Sequence, residues 1–162
     1  MVFIPFNTPS SKNSKVSTSK GIFHSKATGK YLSALGIQSY SSSRKVVELY
    51  KTKPLIFPKN ELLGLFKDVK YPCKIGVHFV RNKKTRFDFH NLVQVIFDLM
   101  VAFDIIEDDN IDCILPFPMQ IDGKWYSVDK NNPGCWIAIL WYMKHISTIN
   151  KLKNIHVIKG KY

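Results

Sequence analysis

Hydrophobic and polar positions alternate most clearly in residues 73–81, CKIGVHFVR, where Ile75, Val77 and Phe79 fall on one side and Lys74, Gly76 and His78 on the other. A period of two predicts a half-buried β-strand. After a basic turn, NKKTR at 82–86, the alternation resumes with Arg86, Asp88 and His90 against Phe87 and Phe89. Residues two apart share a face in extended chain, so this pattern sets Asp88 beside His90 and puts both rings on the other face, where they read as core more readily than as wedges between bases. From Asn91 the period lengthens. Leu92, Ile96, Leu99, Met100 and Phe103 form the apolar stripe of a helix over about 91–103. Asp88 or Asn91 stands at its entrance as a cap, where free backbone N–H groups also attract phosphate oxygens.

The remaining pattern is weaker. Residues 2–6 read as a first strand, 7–21 as a polar loop and 22–31 as its basic continuation. Val46, Val47, Leu49 and Tyr50 suggest a helix over 41–53, and 61–69 suggests a second short one. A turn follows at 107–110, a strand at 111–119 closing on Pro116 and Pro118, a turn at Asp122-Gly123-Lys124 and a buried strand at 135–142. The last twenty residues read equally as a basic helix or a tail, and no internal repeat is visible. The sum is an α+β fold, a small mixed β-sheet packed with helices in a single domain.

Charge changes this picture. The chain of 162 residues carries a net charge of +12, yet nine of its twelve acidic residues lie between Asp88 and Asp129. Residues 1–86 hold seventeen Lys and Arg, and residues 130–162 hold six Lys and no acid. An acidic island in a basic chain suggests a metal site within a polyanion-binding surface. The anion reads as nucleic acid rather than membrane, since no apolar run approaches the roughly 18–20 residues of a spanning helix. The N-terminal MVFIPFNTPSSK has no basic region ahead of its apolar stretch and does not read as a signal peptide. Cys73, Cys113 and Cys135 form no CxxC pair, which argues against a zinc ribbon. They read as small core residues in a reducing, cytoplasmic protein.

One pattern carries a resemblance. Asp88-Phe89-His90-Asn91-Leu92, then Asp98-Leu99, then Ile105-Ile106-Glu107-Asp108-Asp109 resembles the RusA family of Holliday-junction resolvases of phages and prophages. Pro9-Ser10-Ser11-Lys12-Asn13, His24-Ser25, Gly29-Lys30-Tyr31 and Asn132-Pro133-Gly134 add weaker similarity, so the likeness spans residues 2–141 and leaves 142–162 as a basic extension. The resemblance implies a small, basic homodimer that cuts four-way DNA junctions with Mg²⁺ held by three carboxylates. By position the first carboxylate is Asp88 and the third Asp109. The second falls on His90 and the family's helix-borne lysine on Gln94, both departures, whereas Asn91 and Asp108 match.

The implied chemistry is phosphodiester hydrolysis, in which a divalent ion activates water and relieves charge on the leaving oxygen. The candidate catalytic residues are Asp88, His90 and Asp109, with Asp108 beside them as a further metal ligand. Without the family pattern Asp88 is simply a helix cap and Asp109 a turn residue. Imidazole suits Mn²⁺ better than Mg²⁺. His90 therefore reads three ways: a ligand shifting preference toward Mn²⁺, a group orienting water or phosphate, or the mark of a weakened site in a protein that mainly binds DNA. Lys12, Lys15, Lys20, Lys26, Lys30, Arg44, Lys45, Arg81, Lys83, Lys84 and Arg86 are candidate DNA contacts, joined by Asn91 and Gln94 on the helix and by His24 and Tyr31. Trp125, Trp136 and Trp141 read as core or dimer interface. A helix over 91–103 is about 20 Å long, which separates Asp88 from Asp109. They meet only if the chain doubles back or if a partner subunit donates Asp109, and the donated arrangement is the expectation.

Overall fold

The computed structural model describes residues 1–13, 15–18 and 21–140 and has the expected α+β architecture, a mixed sheet with three helices. In chain order these are β1 (Val2–Pro5), β2 (Lys15–Thr18), β3 (Gly21–His24), α1 (Lys26–Ala34), β4 (Ile37–Ser41), β5 (Val46–Leu49), α2 (Lys59–Phe66), β6 (Cys73–Arg81), α3 (Phe89–Ala102), β7 (Ile114–Pro118), β8 (Tyr126–Val128) and β9 (Gly134–Leu140).

The main sheet runs β1-β9-β6-β7, with β8 also paired to β6. Strand β6 lies antiparallel to β9 and parallel to both β7 and β8, which share its other edge end to end. Helix α3 joins the parallel pair β6 and β7, as a parallel connection requires. It buries Leu92, Val93, Val95, Ile96, Phe97, Leu99, Met100, Val101 and Ala102. Full burial of each large side chain is worth about 1.5–3 kcal/mol, so α3 is the main anchor of the core.

Four local expectations change. Strand β6 is covered on both faces rather than half-buried. A side chain at Gly76 would meet Leu140 at 2.9 Å and Met119 at 3.0 Å, and the ring nitrogens of His78 are bonded to the Met119 carbonyl (3.0 Å) and the Ser127 hydroxyl (2.8 Å). The 41–53 segment is no helix: β4 and β5 form a hairpin through a 3₁₀ turn at Ser42–Arg44, with Lys45 left-handed at φ 50°. Paired Val46 and Val47 lose side-chain freedom in a helix and suit a strand. The supposed loop at 7–21 contains β2, which pairs with β3. The residues after it form α1, capped by the Ser25 side chain on the Thr28 N–H at 3.3 Å.

Cys73, Cys113 and Cys135 are buried free thiols, in line with their reading as core. Phe87 and Phe89 pack against the core cluster. Trp125 is 59% exposed and so is not a core residue, which leaves the interface half of its expectation. Trp141 and the C-terminal extension lie outside the described residues. Among the described residues no helix is long and apolar enough to cross a membrane.

Candidate functional site

The site starts where β6 hands the chain to α3. Arg81 donates to the Thr8 carbonyl at 2.8 Å, and the Asn82 N–H donates to Asn7 Oδ1 at 3.4 Å. These bonds tie the base of the 82–88 loop to the segment after β1. Ser11 Oγ donates to Asn91 Oδ1 at 3.4 Å, which brings the 3₁₀ turn carrying Lys12 onto the first turn of α3.

Asp88 is the helix cap, its carboxylate accepting the His90 N–H at 3.0 Å. Because α3 begins at Phe89, Asp88 and His90 do not share an extended face. His90 belongs instead to a helical row with Gln94 and Asp98, four residues apart each time. Gln94 Nε2 donates to Asp98 Oδ1 at 3.5 Å and to Asp109 Oδ2 at 3.3 Å. Tyr40 donates to the other Asp98 oxygen at 3.4 Å, and its ring stacks on His24 at 5.1 Å. Burial first, and Asp98 second, hold the Tyr40 hydroxyl well above the ordinary phenol range.

Asp109 reaches this row because the chain reverses at the end of α3. The Asp104 N–H donates to the Val101 carbonyl at 3.0 Å and the Ile105 N–H to the Met100 carbonyl at 2.9 Å. Asp104 itself is left-handed at φ 56°. Together these form a Schellman stop, with the buried Met100 and Ile105 at the positions that usually touch. Ile105 and Ile106 are then drawn into the core and return the chain along α3. The reversal removes the reason for a partner-donated Asp109, which stands instead on Gln94 of its own chain.

The turn polarises its two carboxyls in opposite directions. Asp108 accepts the Asp109 N–H and the Asn110 side-chain amide, both at 2.7 Å, and these bonds lower its pKa. The Asp109 carboxyl is raised, first by burial, then by its hydrogen bond with Asp108 and by the charges of Asp98 and Asp108. A raised carboxyl crowded by other carboxylates favours a proton or a cation.

The candidate ligands are therefore only partly gathered. Gln94 joins Asp98 to Asp109 and Asp108 adjoins Asp109, whereas the Asp88 cap lies about 9 Å from Gln94 along the helix axis and His90 about 6 Å. Among the described residues no group of three or more His, Cys, Asp or Glu is placed to hold an ion. Mg²⁺ commonly takes only one or two carboxylates and completes its shell with water and substrate phosphate. Asp98 and Asp109, joined through Gln94, are the two carboxylates the structure brings near each other. Asp98 and Tyr40 are the residues that sequence reasoning missed as site members. The spacing His90–Gln94–Asp98 was a signal for the first, and nothing local signals the second.

Of the candidate DNA contacts, Lys12, Lys26, Lys30, Lys83, Lys84 and Arg86 are exposed. Lys15 lies in β2 opposite His24, and Lys20 lies outside the described residues. Lys45 pairs with Asp104 at 3.8 Å. Arg81 is half-buried, bonded to Thr8, with its guanidinium 5.4 Å from the centre of the Phe87 ring, a structural placement. Tyr31 is 4% exposed and is a core residue that no phosphate reaches. Compared with known protein families, curated proteins and solved structures, the chain matches none.

Proposed function

We propose that the protein is a metal-dependent, structure-selective DNA endonuclease that resolves four-way junctions by paired nicks. The observation that carries the reading is the return of Asp109 to Gln94 along the same helix that Asp88 caps. Gln94 and Asp109, at positions singled out by the likeness to a junction resolvase, thereby meet beside α3. Exposed Lys12, Lys83, Lys84 and Arg86 border the start of that helix, where a DNA backbone would be held.

In this reading Asp109 and Asp98, with Asp108 beside them, would hold Mg²⁺ or Mn²⁺, which would supply activation of a water nucleophile and charge relief. The chain's own residues do the positioning. Gln94 fixes the Asp109 carboxylate, Tyr40 fixes Asp98, and Asp88 both fixes the first turn that presents His90 and sets a carboxylate beside the incoming phosphate. Two symmetric nicks call for two sites, which favours a homodimer, each subunit carrying its own set.

A second reading has its own support. The absence of a three-ligand group among the described residues, with Gln94 donating into the carboxylate pair, favours a junction-binding protein whose site is weakened. Cleavage of a labelled four-way junction in Mg²⁺ and in Mn²⁺ separates the two. The endonuclease reading expects nicking that Asp109→Asn abolishes while binding is kept or tightened. Tight junction binding with no nicking in either metal selects the second reading. His90→Asp is expected to raise Mg²⁺-supported nicking if the imidazole replaces a carboxylate ligand.

A further inference from the structure

Beside the cap of α3 lies an open cavity of about 700 Å³ lined by Lys84, Thr85, Arg86, Phe87 and Tyr126. That volume falls within the roughly 300–1,000 Å³ of small-ligand pockets. Its two rings stand at 90° with centroids 5.3 Å apart, so they form an aromatic corner. The corner is fixed from behind. Phe87 also meets Phe79 edge-on at 5.9 Å, and Tyr126 sits in β8 directly opposite Phe79 on β6. The Arg81 guanidinium lies over the Phe87 ring at 5.4 Å and is itself bonded to Thr8. Against these aromatic walls stand the exposed cations of Lys84 and Arg86. Rings that can stack a base, next to cations that can hold a phosphate, are the elements of single-stranded nucleic-acid binding. None of the four is used by the carboxylate site.

We propose that this cavity holds one unpaired nucleotide of bound DNA, its base against the Phe87–Tyr126 corner and its phosphate on Lys84 and Arg86. The inference rests on the DNA-binding part of the proposed function and gives it a source of structure selectivity: stacking is interrupted at a branch point, so a base leaves its pair there at lower cost than within a continuous duplex. Phe87 immediately precedes Asp88, so a nucleotide seated here would set the adjoining backbone at the start of α3.

The test uses the full chain in EDTA, so that no cutting intervenes. Affinity is measured by fluorescence anisotropy for a labelled duplex bearing one unpaired adenine and for the same duplex with an abasic residue there. The adenine probe is expected to bind about tenfold tighter, the scale of one base stacked on an aromatic ring. Tyr126→Phe, which keeps the ring, is expected to retain that ratio, and Tyr126→Leu to bring it near one. Arg86→Gln is expected to weaken both probes alike, since it acts on phosphate. Equal affinity of the wild-type protein for the two probes overturns the proposal, as does a ratio that survives Tyr126→Leu. Junction nicking without a base preference overturns the pocket and leaves the endonuclease reading standing. A base preference without nicking in either metal supports the pocket and overturns the endonuclease reading alone.

Discussion

Asp88 is assigned two roles that one pair of substitutions separates. As a cap it accepts the His90 N–H through Oδ1 at 3.0 Å, and the helix it starts buries nine residues. Asp88→Ala removes that acceptor and is expected to cost about 1 kcal/mol. For a chain of this size that corresponds to a fall in Tm of about 2–4 °C. Asp88→Asn keeps an oxygen at the same position and caps about as well. Its one loss is a negative charge at the helix N-terminus, worth a few tenths of a kcal/mol at an exposed position. Asn is therefore expected to lie within about 1 °C of wild type. On the endonuclease reading both variants lose junction nicking, because neither offers a carboxylate near the phosphate. Calorimetry paired with the nicking assay reads both effects. Equal falls in Tm for Ala and Asn would refute the capping argument, and full nicking by the Asn variant would refute a role for the carboxylate in cutting.

Three further expectations follow from the same geometry. Asp98→Asn removes a charge that raises the Asp109 carboxyl, so Asp109 should titrate at lower pH, as read by carboxyl NMR. The sign for stability is fixed by the raised folded value: the contribution of Asp109 is present at low pH and lost as pH rises through its folded pKa, and Asp98→Asn should shrink that loss. Ile106, 1% exposed, holds the returning chain, and Ile106→Ala should cost about 2–5 kcal/mol in urea unfolding and move Asp109 toward an ordinary carboxylate titration as the turn leaves α3. DNA affinity should fall steeply with salt, and Lys84→Ala should flatten the logarithmic slope by about one if that lysine holds a phosphate; an unchanged slope would remove Lys84 from the contact surface.

The sequence by itself determined the elements whose periodicity is long and whose ends carry a chemical signal. The span of strand β6, though not its burial on both faces, is read from its alternation, and α3 from its apolar stripe together with an aspartate at the cap. The buried β9 and the α+β class follow in the same way. Short elements gave no such signal. Val46 and Val47 fit a helix stripe as well as a strand, and only pairing with β4 decides between them. The polar run before β3 looks like loop because it carries little apolar periodicity, and only its pairing with β3 makes it a strand.

For the site, sequence located the acidic residues and tertiary structure decided how they meet. An aspartate, where glycine is usual, occupies the left-handed stop after α3, so the reversal that carries Asp109 back to Gln94 is hidden from composition. Burial of Ile105 and Ile106 fixes the direction of that reversal, and burial is a property of the packed sheet rather than of any local run. The same reversal places Asp109 beside Asp98, raises its carboxyl and makes a donated ligand unnecessary. Residue types and spacing select the chemistry available to the chain; which of those residues share a site depends on long-range packing, because side chains eleven residues apart are brought together only when the chain between them folds back.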